Sequence, residues 1–187
     1  MKIEIKQKSF TLFNSHYDIY INGKLNYIAK SKFYLFIPKI EFYDLESKSI
    51  SLLKKKFTFL NKEKWLNHEM ILSKNEKLTL NTESFIAHNL IIKNEKLNFY
   101  EQKGNDIGIF IGNTQVGIIS KNKKKKLSGD IYKIEISNKI KNPFYVIGFV
   151  IAYDYEFKND SNAYITVDYG NRIITPVKEI SKNWRAK

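Results

Sequence analysis

The stretch Phe144-Tyr145-Val146-Ile147-Gly148-Phe149-Val150-Ile151-Ala152-Tyr153 runs for ten residues without a charge. It is half as long as the roughly 20 apolar residues that a bilayer-spanning helix needs. A segment apolar on every side has to be buried on every side. It therefore reads as a hydrophobic plug that the rest of the chain surrounds. Phe, Tyr, Val and Ile favour strand, and an apolar run alone does not separate a buried strand from a buried helix. The entry favours helix. Asn142 is a good N-cap, and Pro143 stands at the first helical position, where a fixed φ and a missing N–H cost nothing. Gly148 costs a helix interior about 1 kcal/mol relative to Ala, but it lets a neighbouring backbone come close. Asp154 is the first charge beyond the plug.

Upstream, the chain is a series of short strand patterns. Met1–Phe13 alternates Ile3 and Ile5 with Lys2, Glu4 and Lys6, the period of a half-buried strand. Tyr17–Ile21 and Leu25–Ala29 flank Asn22-Gly23, the strongest short-range hairpin signal, because both central residues of a type I′ turn need positive φ. Further strands read as Lys32–Ile37, Ile40–Tyr43, Ser49–Leu53, Lys56–Leu60, Trp65–Leu72, Leu78–Leu80, Phe85–Ile92, Leu97–Tyr100, Ile107–Ile111, Gln115–Ser120 and Ile131–Ile136. Three hairpins share one pattern, a turn followed by an apolar pair and then lysines: Ile28-Ala29-Lys30, Leu52-Leu53-Lys54 and Ile118-Ile119-Ser120-Lys121. That suggests an up-and-down meander, its spacing too irregular for a solenoid. Beyond the plug, Ala163–Tyr169 and Arg172–Thr175 around Gly170-Asn171 read as a terminal hairpin, and Val177–Lys187 as a short helix or a basic tail. Many short strands at this spacing mean an all-β sandwich or barrel.

Composition bounds the partners. The 187 residues suit one domain, and 43% hydrophobic with 14% aromatic content can fill a sizeable core. The absence of cysteine excludes disulfides and thiolate metal sites. The N-terminus lacks the continuous apolar core of a signal peptide, so the expectation is a cytoplasmic protein, peripheral to the membrane at most. The net charge of +13 invites a polyanion. Against that, all but Arg172 and Arg185 of the 32 basic residues are lysine. Lysine, asparagine and isoleucine abound together, as an A/T-rich coding sequence would produce, and specific phosphate recognition favours guanidinium.

The order of several short motifs is similar to the LURP-one-related proteins, which group with the tubby C-terminal domain and the phospholipid scramblases. The residues that carry the resemblance are Tyr17-Asp18-Ile19-Tyr20, Asn22-Gly23-Lys24, Pro38–Asp44, Leu53–Phe59, Gln115–Lys121, Gly129–Ile136 and Phe149–Asp154, together spanning about residues 6–155. The resemblance implies an all-β fold, a closed antiparallel barrel of about twelve strands around a central hydrophobic helix. Residues 1–157 would form this tubby-like barrel, with the helix at about 143–153. Residues 158–187 would be a C-terminal extension of the same domain, a hairpin plus a basic tail. Two departures stand out. The plug helix usually closes the chain in that family, whereas about thirty residues follow it here, and Trp65–Leu97 matches the family pattern poorly.

No catalytic constellation is visible. His16, His68 and His88 lack metal-ligand spacing, and Asp18, Asp44, Asp130 and Asp154 are explained by capping of turns and strand ends. Gly104, Gly108, Gly112 and Gly117 fit neither a P-loop nor a dinucleotide fingerprint. No enzymatic activity and no cofactor or metal is expected. The candidate functional residues are two lysine runs, Lys54, Lys55 and Lys56 beside Phe57 and Phe59, and Lys123, Lys124, Lys125 and Lys126 beside Leu127. Lysines next to apolar side chains suit an anionic bilayer, each contributing about 1 kcal/mol near the surface. The bland alternatives are a core strand for the first run and a solvated hairpin tip for the second. Tyr17, Tyr20, Tyr27, Phe33 and Tyr34 among lysines also allow base stacking by single-stranded nucleic acid, although one core-facing row explains them as well. The leading expectation is a tubby-like module engaging anionic phospholipid headgroups at the cytoplasmic membrane face. The alternative is a structural or protein–protein interaction module.

Overall fold

In the computed structural model the plug is a helix, and the strands close around it. The structure describes all residues except 12–13, 35–36, 57–66, 74–75, 85–86, 93–94, 103–105, 123–128, 159–177, 182 and 187. The elements in order are β1 (Lys2–Thr11), β2 (Asn14–Ile21), β3 (Lys24–Tyr34), β4 (Ile37–Tyr43), β5 (Ser49–Lys55), β6 (Asn67–Ser73), β7 (Glu76–Ser84), β8 (Ala87–Ile92), β9 (Glu95–Glu101), β10 (Asp106–Ile111), β11 (Thr114–Asn122), β12 (Ile131–Ile136) and α1 (Phe144–Lys158). Each strand pairs antiparallel with its sequence neighbours, and β12 returns to β1 to close a twelve-stranded barrel. The closing register sets Ile3 opposite Ile134 and Ile5 opposite Tyr132. Closure leaves no free edge, which is how so many short strands avoid edge-to-edge association.

Local signals explain most of these elements. Asn22 (φ 49°) and Gly23 (φ 84°) both occupy the left-handed region, the geometry a two-residue type I′ hairpin demands. Ser47 at φ 63° and Gly112 at φ 54° turn the chain in the other two look-alike hairpins. In β12 the alternation is complete: Tyr132, Ile134 and Ile136 face inward and are buried, while Lys133 is exposed. Of the strands read from sequence, Lys56–Leu60 lies, beyond Lys56, outside the described residues, and one segmentation among the described residues differs. Lys32–Tyr34 is the end of the long β3, and the next strand starts at Ile37. Pro38 does not break β4 because it lies outside the β4–β5 ladder, which begins at Lys39.

The helix begins as its cap predicts. The Phe144 amide donates to Asn142 Oδ1 at 3.0 Å, and the carbonyl of Pro143 accepts from Ile147 N–H at 3.0 Å. Val146, Ile147, Phe149, Val150, Ile151 and Ala152 are sealed from solvent, none more than 1% exposed. Phe149 stacks face to face on Phe99 of β9, centroids 3.7 Å apart. At full burial each such aliphatic or aromatic side chain contributes about 1.5–3 kcal/mol. Gly148 makes room for the Met70 sulfur of β6 rather than for a backbone, because a Cβ there would collide with it. The helix also continues to Lys158, past the end of the apolar run, carrying Asp154 and Glu156 inside the barrel wall.

The antiparallel meander gives the barrel two distinct ends. One end holds the helix N-terminus and the connections 22–23, 44–48, 74–75, 93–94 and 112–113. The other holds the helix C-terminus and the chain joining β1 to β2, β3 to β4, β5 to β6, β7 to β8, β9 to β10 and β11 to β12. Ala163–Thr175, read from sequence as a hairpin, lies outside the described residues. Residues 178–181 and 183–186 run without helix or strand along the outer wall.

Candidate functional site

The barrel lumen is occupied by side chains, and its polar groups serve the helix. Asp154, 1% exposed, accepts hydrogen bonds from Tyr17 Oη of β2 (2.9 Å), Gln7 Nε2 of β1 (3.2 Å) and the Tyr132 hydroxyl of β12. Burial, reinforced by the Asp154 carboxylate, pushes both tyrosine hydroxyls well above the usual phenol range, so they stay protonated and donate. The sequence reading of Asp154 as a cap is thus corrected: it sits mid-helix and ties α1 to three wall strands. Asp44 does behave as an Asx turn, its Oδ1 accepting from the amides of Glu46 (3.1 Å) and Lys48 (2.8 Å). Asp18 pairs with Lys8 (3.1 Å) and Asp130 with Lys121 (3.0 Å).

A second polar group faces β5 and β6. Glu156 Oε2 is 2.7 Å from Lys55 Nζ, and its Oε1 is 3.4 Å from His68 Nε2. Burial raises the Glu156 carboxyl, with Lys55 pulling the other way. Burial, with a smaller push from the Lys55 cation, lowers His68 to about 3. The imidazole is therefore neutral, and among the described residues its Nδ1 has no hydrogen-bond partner.

This geometry places the first lysine run. Adjacent strand residues point to opposite faces, so the three lysines do not form one patch. Lys54 pairs with Glu69 at 2.9 Å, Lys55 with Glu156, and Lys56 Nζ lies 3.3 Å from Thr79 Oγ1. Lys54 in turn holds the Glu69 carboxyl below its ordinary range. Lys123, Lys124, Lys125 and Lys126, like Phe57 and Phe59, lie outside the described residues. The chain leaves β11 at Asn122 and re-enters as β12 at Ile131, on the same end of the barrel as Lys54–Lys56. The aromatics do not share one face. Tyr17 is inside on Asp154, Tyr27 packs on Phe144 with centroids 4.9 Å apart, and Tyr20 lies outside under Lys6 at 4.4 Å. Among the described residues no three His, Asp or Glu side chains are grouped as a metal site would need.

The outer wall carries what the sequence did not reveal. Tyr100 and Phe110 touch edge to face on the outside of β9 and β10, centroids 5.6 Å apart. The C-terminal segment covers this surface. Lys178 Nζ donates to the Gly112 carbonyl (3.0 Å) and Asn113 Oδ1 (2.9 Å), and the Ser181 amide donates to Gln115 Oε1 (3.0 Å). Ile180 sits on Gly108, where a Cβ would displace it. Next to this strap, on the outside of β1, β2, β11 and β12, opens a groove of about 620 Å³.

A model of the family described as LURP-one-related matches residues 1–154. The chain belongs to the LURP-one-related family. The match spans all twelve strands and the helix as far as Asp154, in agreement with the tubby-like barrel that the motif order implied. No curated protein and no solved structure gives a significant match. No helix among the described residues is long and apolar enough to cross a membrane.

Two predictions follow from the lumen. Asp154→Ala leaves two hydroxyls and an amide without their buried acceptor. It is expected to cost about 3 kcal/mol or more in urea unfolding, against about 1 kcal/mol for Tyr132→Phe; equal, small losses would refute the anchoring role. The folded pKa of His68 lies below the unfolded value, so the unfolded chain takes up the proton first. Its contribution is complete above about pH 6.5 and is lost as pH falls toward about 3. The raised Glu156 carboxyl acts in the opposite sense just above its ordinary range. The stability advantage of wild type over His68→Gln should therefore shrink as pH is lowered from 7, by up to about 1.4 kcal/mol per pH unit. A pH-independent difference would show that the imidazole titrates normally.

Proposed function

We propose that this LURP-one-related barrel is a binding module that docks one of its ends onto anionic phospholipid at the cytoplasmic membrane face. The observation that supports the reading is the contrast between the two sets of connections. At the helix N-terminal end the joining residues are mostly polar, Asn22-Gly23, Lys74-Asn75, Lys93-Asn94 and Gly112-Asn113, with the exposed Leu45 and the buried Ile140 of the β12–α1 connection as exceptions. At the other end four successive connections around the ring carry Leu12-Phe13, Leu35-Phe36, Phe57 to Leu66 with Trp65, and Phe85-Ile86. The two remaining connections at that end supply Lys103 and Lys123–Lys126.

An apolar arc beside a basic arc suits an anionic bilayer. Aromatic and aliphatic side chains enter the headgroup layer, and each lysine adds about 1 kcal/mol near the surface. Lys123–Lys126 carry the electrostatic part. Lys54, Lys55 and Lys56 contribute less, because each already has an intramolecular partner.

The test is co-sedimentation with phosphatidylcholine vesicles, with and without phosphatidylserine, at low and physiological salt. Wild type is expected to sediment with the anionic vesicles at both. Phe36→Asp and a Lys123–Lys126→Gln variant each lower binding roughly tenfold or more, whereas Leu45→Asp at the opposite end leaves it unchanged. Binding that vanishes at physiological salt, or that ignores these changes, would overturn the reading and direct the search to a protein partner.

A further inference from the structure

We infer that the outer wall of β9, β10 and β11 is a docking site for a short lysine-and-isoleucine peptide segment of a partner protein, a site that the chain's own residues 178–181 occupy in cis. The resident strap shows what the site reads. Two glutamine side chains grip its backbone: Gln102 Nε2 donates to the Lys178 carbonyl at 2.7 Å, and Gln115 Oε1 accepts from the Ser181 amide at 3.0 Å. Main-chain hydrogen bonds hold a peptide of any sequence, and seats for side chains supply the selectivity.

Two such seats are present. Lys178 Nζ stands 4.6 Å from the centre of the Phe110 ring and donates to the Gly112 carbonyl at 3.0 Å and to Asn113 Oδ1 at 2.9 Å. A ring face beside two oxygen acceptors is a seat for an ammonium group. Ile180 enters a notch above Gly108, where an added Cβ would collide with its Cγ2. The Trp184 amide then turns back on the Ser181 carbonyl at 3.0 Å, so the part of the strap that is read ends at Ser181. The matching segment is a lysine followed two residues later by a branched aliphatic residue.

Neither seat serves the barrel itself. Ile107 and Ile109 belong to the core, so strand alternation turns Gly108 and Phe110 outward. Glycine inside a strand weakens it and marks the close approach of another chain or a ligand. Phe110 stands outside the core cluster and is nonetheless only 3% exposed, under the strap. The family match ends at residue 154, so this wall belongs to the shared barrel and the strap does not. The hydrogen bonds of Lys178 Nζ and of the Ser181 amide are solvent-exposed, which makes the hold light. Covalent attachment through residues 159–177 compensates by keeping the strap at an effective concentration on the order of millimolar. The strap is thus a tethered competitor that a better-fitting segment displaces. The seats lie toward the end of the barrel away from the vesicle-docking connections, because Gly112 and Asn113 join β10 to β11 there.

Fluorescence anisotropy of the full chain with a labelled synthetic peptide of sequence 178–186 tests this. Ile180→Asp in the chain expels the resident strap and is expected to tighten peptide binding roughly tenfold or more relative to wild type. Adding Gly108→Ala to that chain fills the notch and returns binding to the wild-type level or below. Adding Gln102→Ala instead, which leaves the notch intact, weakens binding roughly threefold or more. In the peptide, Lys178→Glu and Ile180→Gly each abolish binding, whereas Glu179→Gln does not. No binding to the Ile180→Asp chain, affinity equal to that of wild type, or indifference to the peptide's Lys178→Glu would overturn the proposal. Wild type that dimerises with concentration in light scattering, the dimer being lost with Gly108→Ala, would make a second copy's strap the occupant and overturn the partner reading. The vesicle-docking variant Phe36→Asp leaves peptide binding intact, so the two readings fail separately.

Discussion

The structure depends on one constraint: a helix that is apolar around its whole circumference has to be walled off from water in every direction. A sheet packed on one side would leave half of Phe144–Tyr153 exposed. A closed barrel covers all of it, and the twelve strands supply inward side chains from alternate positions, as in Ile3 and Ile5 of β1 or Tyr132, Ile134 and Ile136 of β12. Closure and plug require each other. Without the helix a barrel this wide would hold a water-filled lumen, and without closure the helix would be an aggregation site.

A uniformly apolar helix has no preferred rotation in a uniformly apolar lumen. The polar groups beyond the plug supply it. Asp154 reaches β1, β2 and β12, and Glu156 reaches β5 and β6 on the far side of the barrel. Each contact fixes depth as well as rotation, because an unmet buried polar group is expensive. With the interior committed to packing and anchoring, the surfaces left for recognition are the two ends and the outer wall. Both functional proposals fall there for that reason.

Much of this was legible in the residues. Asn142-Pro143 announced the helix start, Asn22-Gly23 the first hairpin, and Ile131–Ile136 a strand with one face in the core. The motif order pointed to the barrel itself. What failed did so for physical reasons. Asp154 read as a boundary because a charge after an apolar run normally marks the return to solvent, and its tyrosine partners lie at positions 17 and 132. The separate partners of Lys54–Lys56 were hidden because a linear run conceals the strand's alternation, which sends Lys54 to Glu69 and Lys55 to Glu156. The seat of the strap was invisible because Gln102, Gly108 and Gln115 meet residues 178–181 only in the folded barrel.

The central claim is that the plugged barrel presents one end to the bilayer and holds the other away from it. The chain has no cysteine, so a single one can be introduced and labelled with an environment-sensitive fluorophore without background. The most direct measurement compares a label on Phe36→Cys with a label on Leu45→Cys as anionic vesicles are added. The account predicts a blue shift, and quenching by bilayer-embedded quenchers, for position 36, with position 45 unchanged. Equal responses at both positions, or a response at position 45 alone, would contradict it.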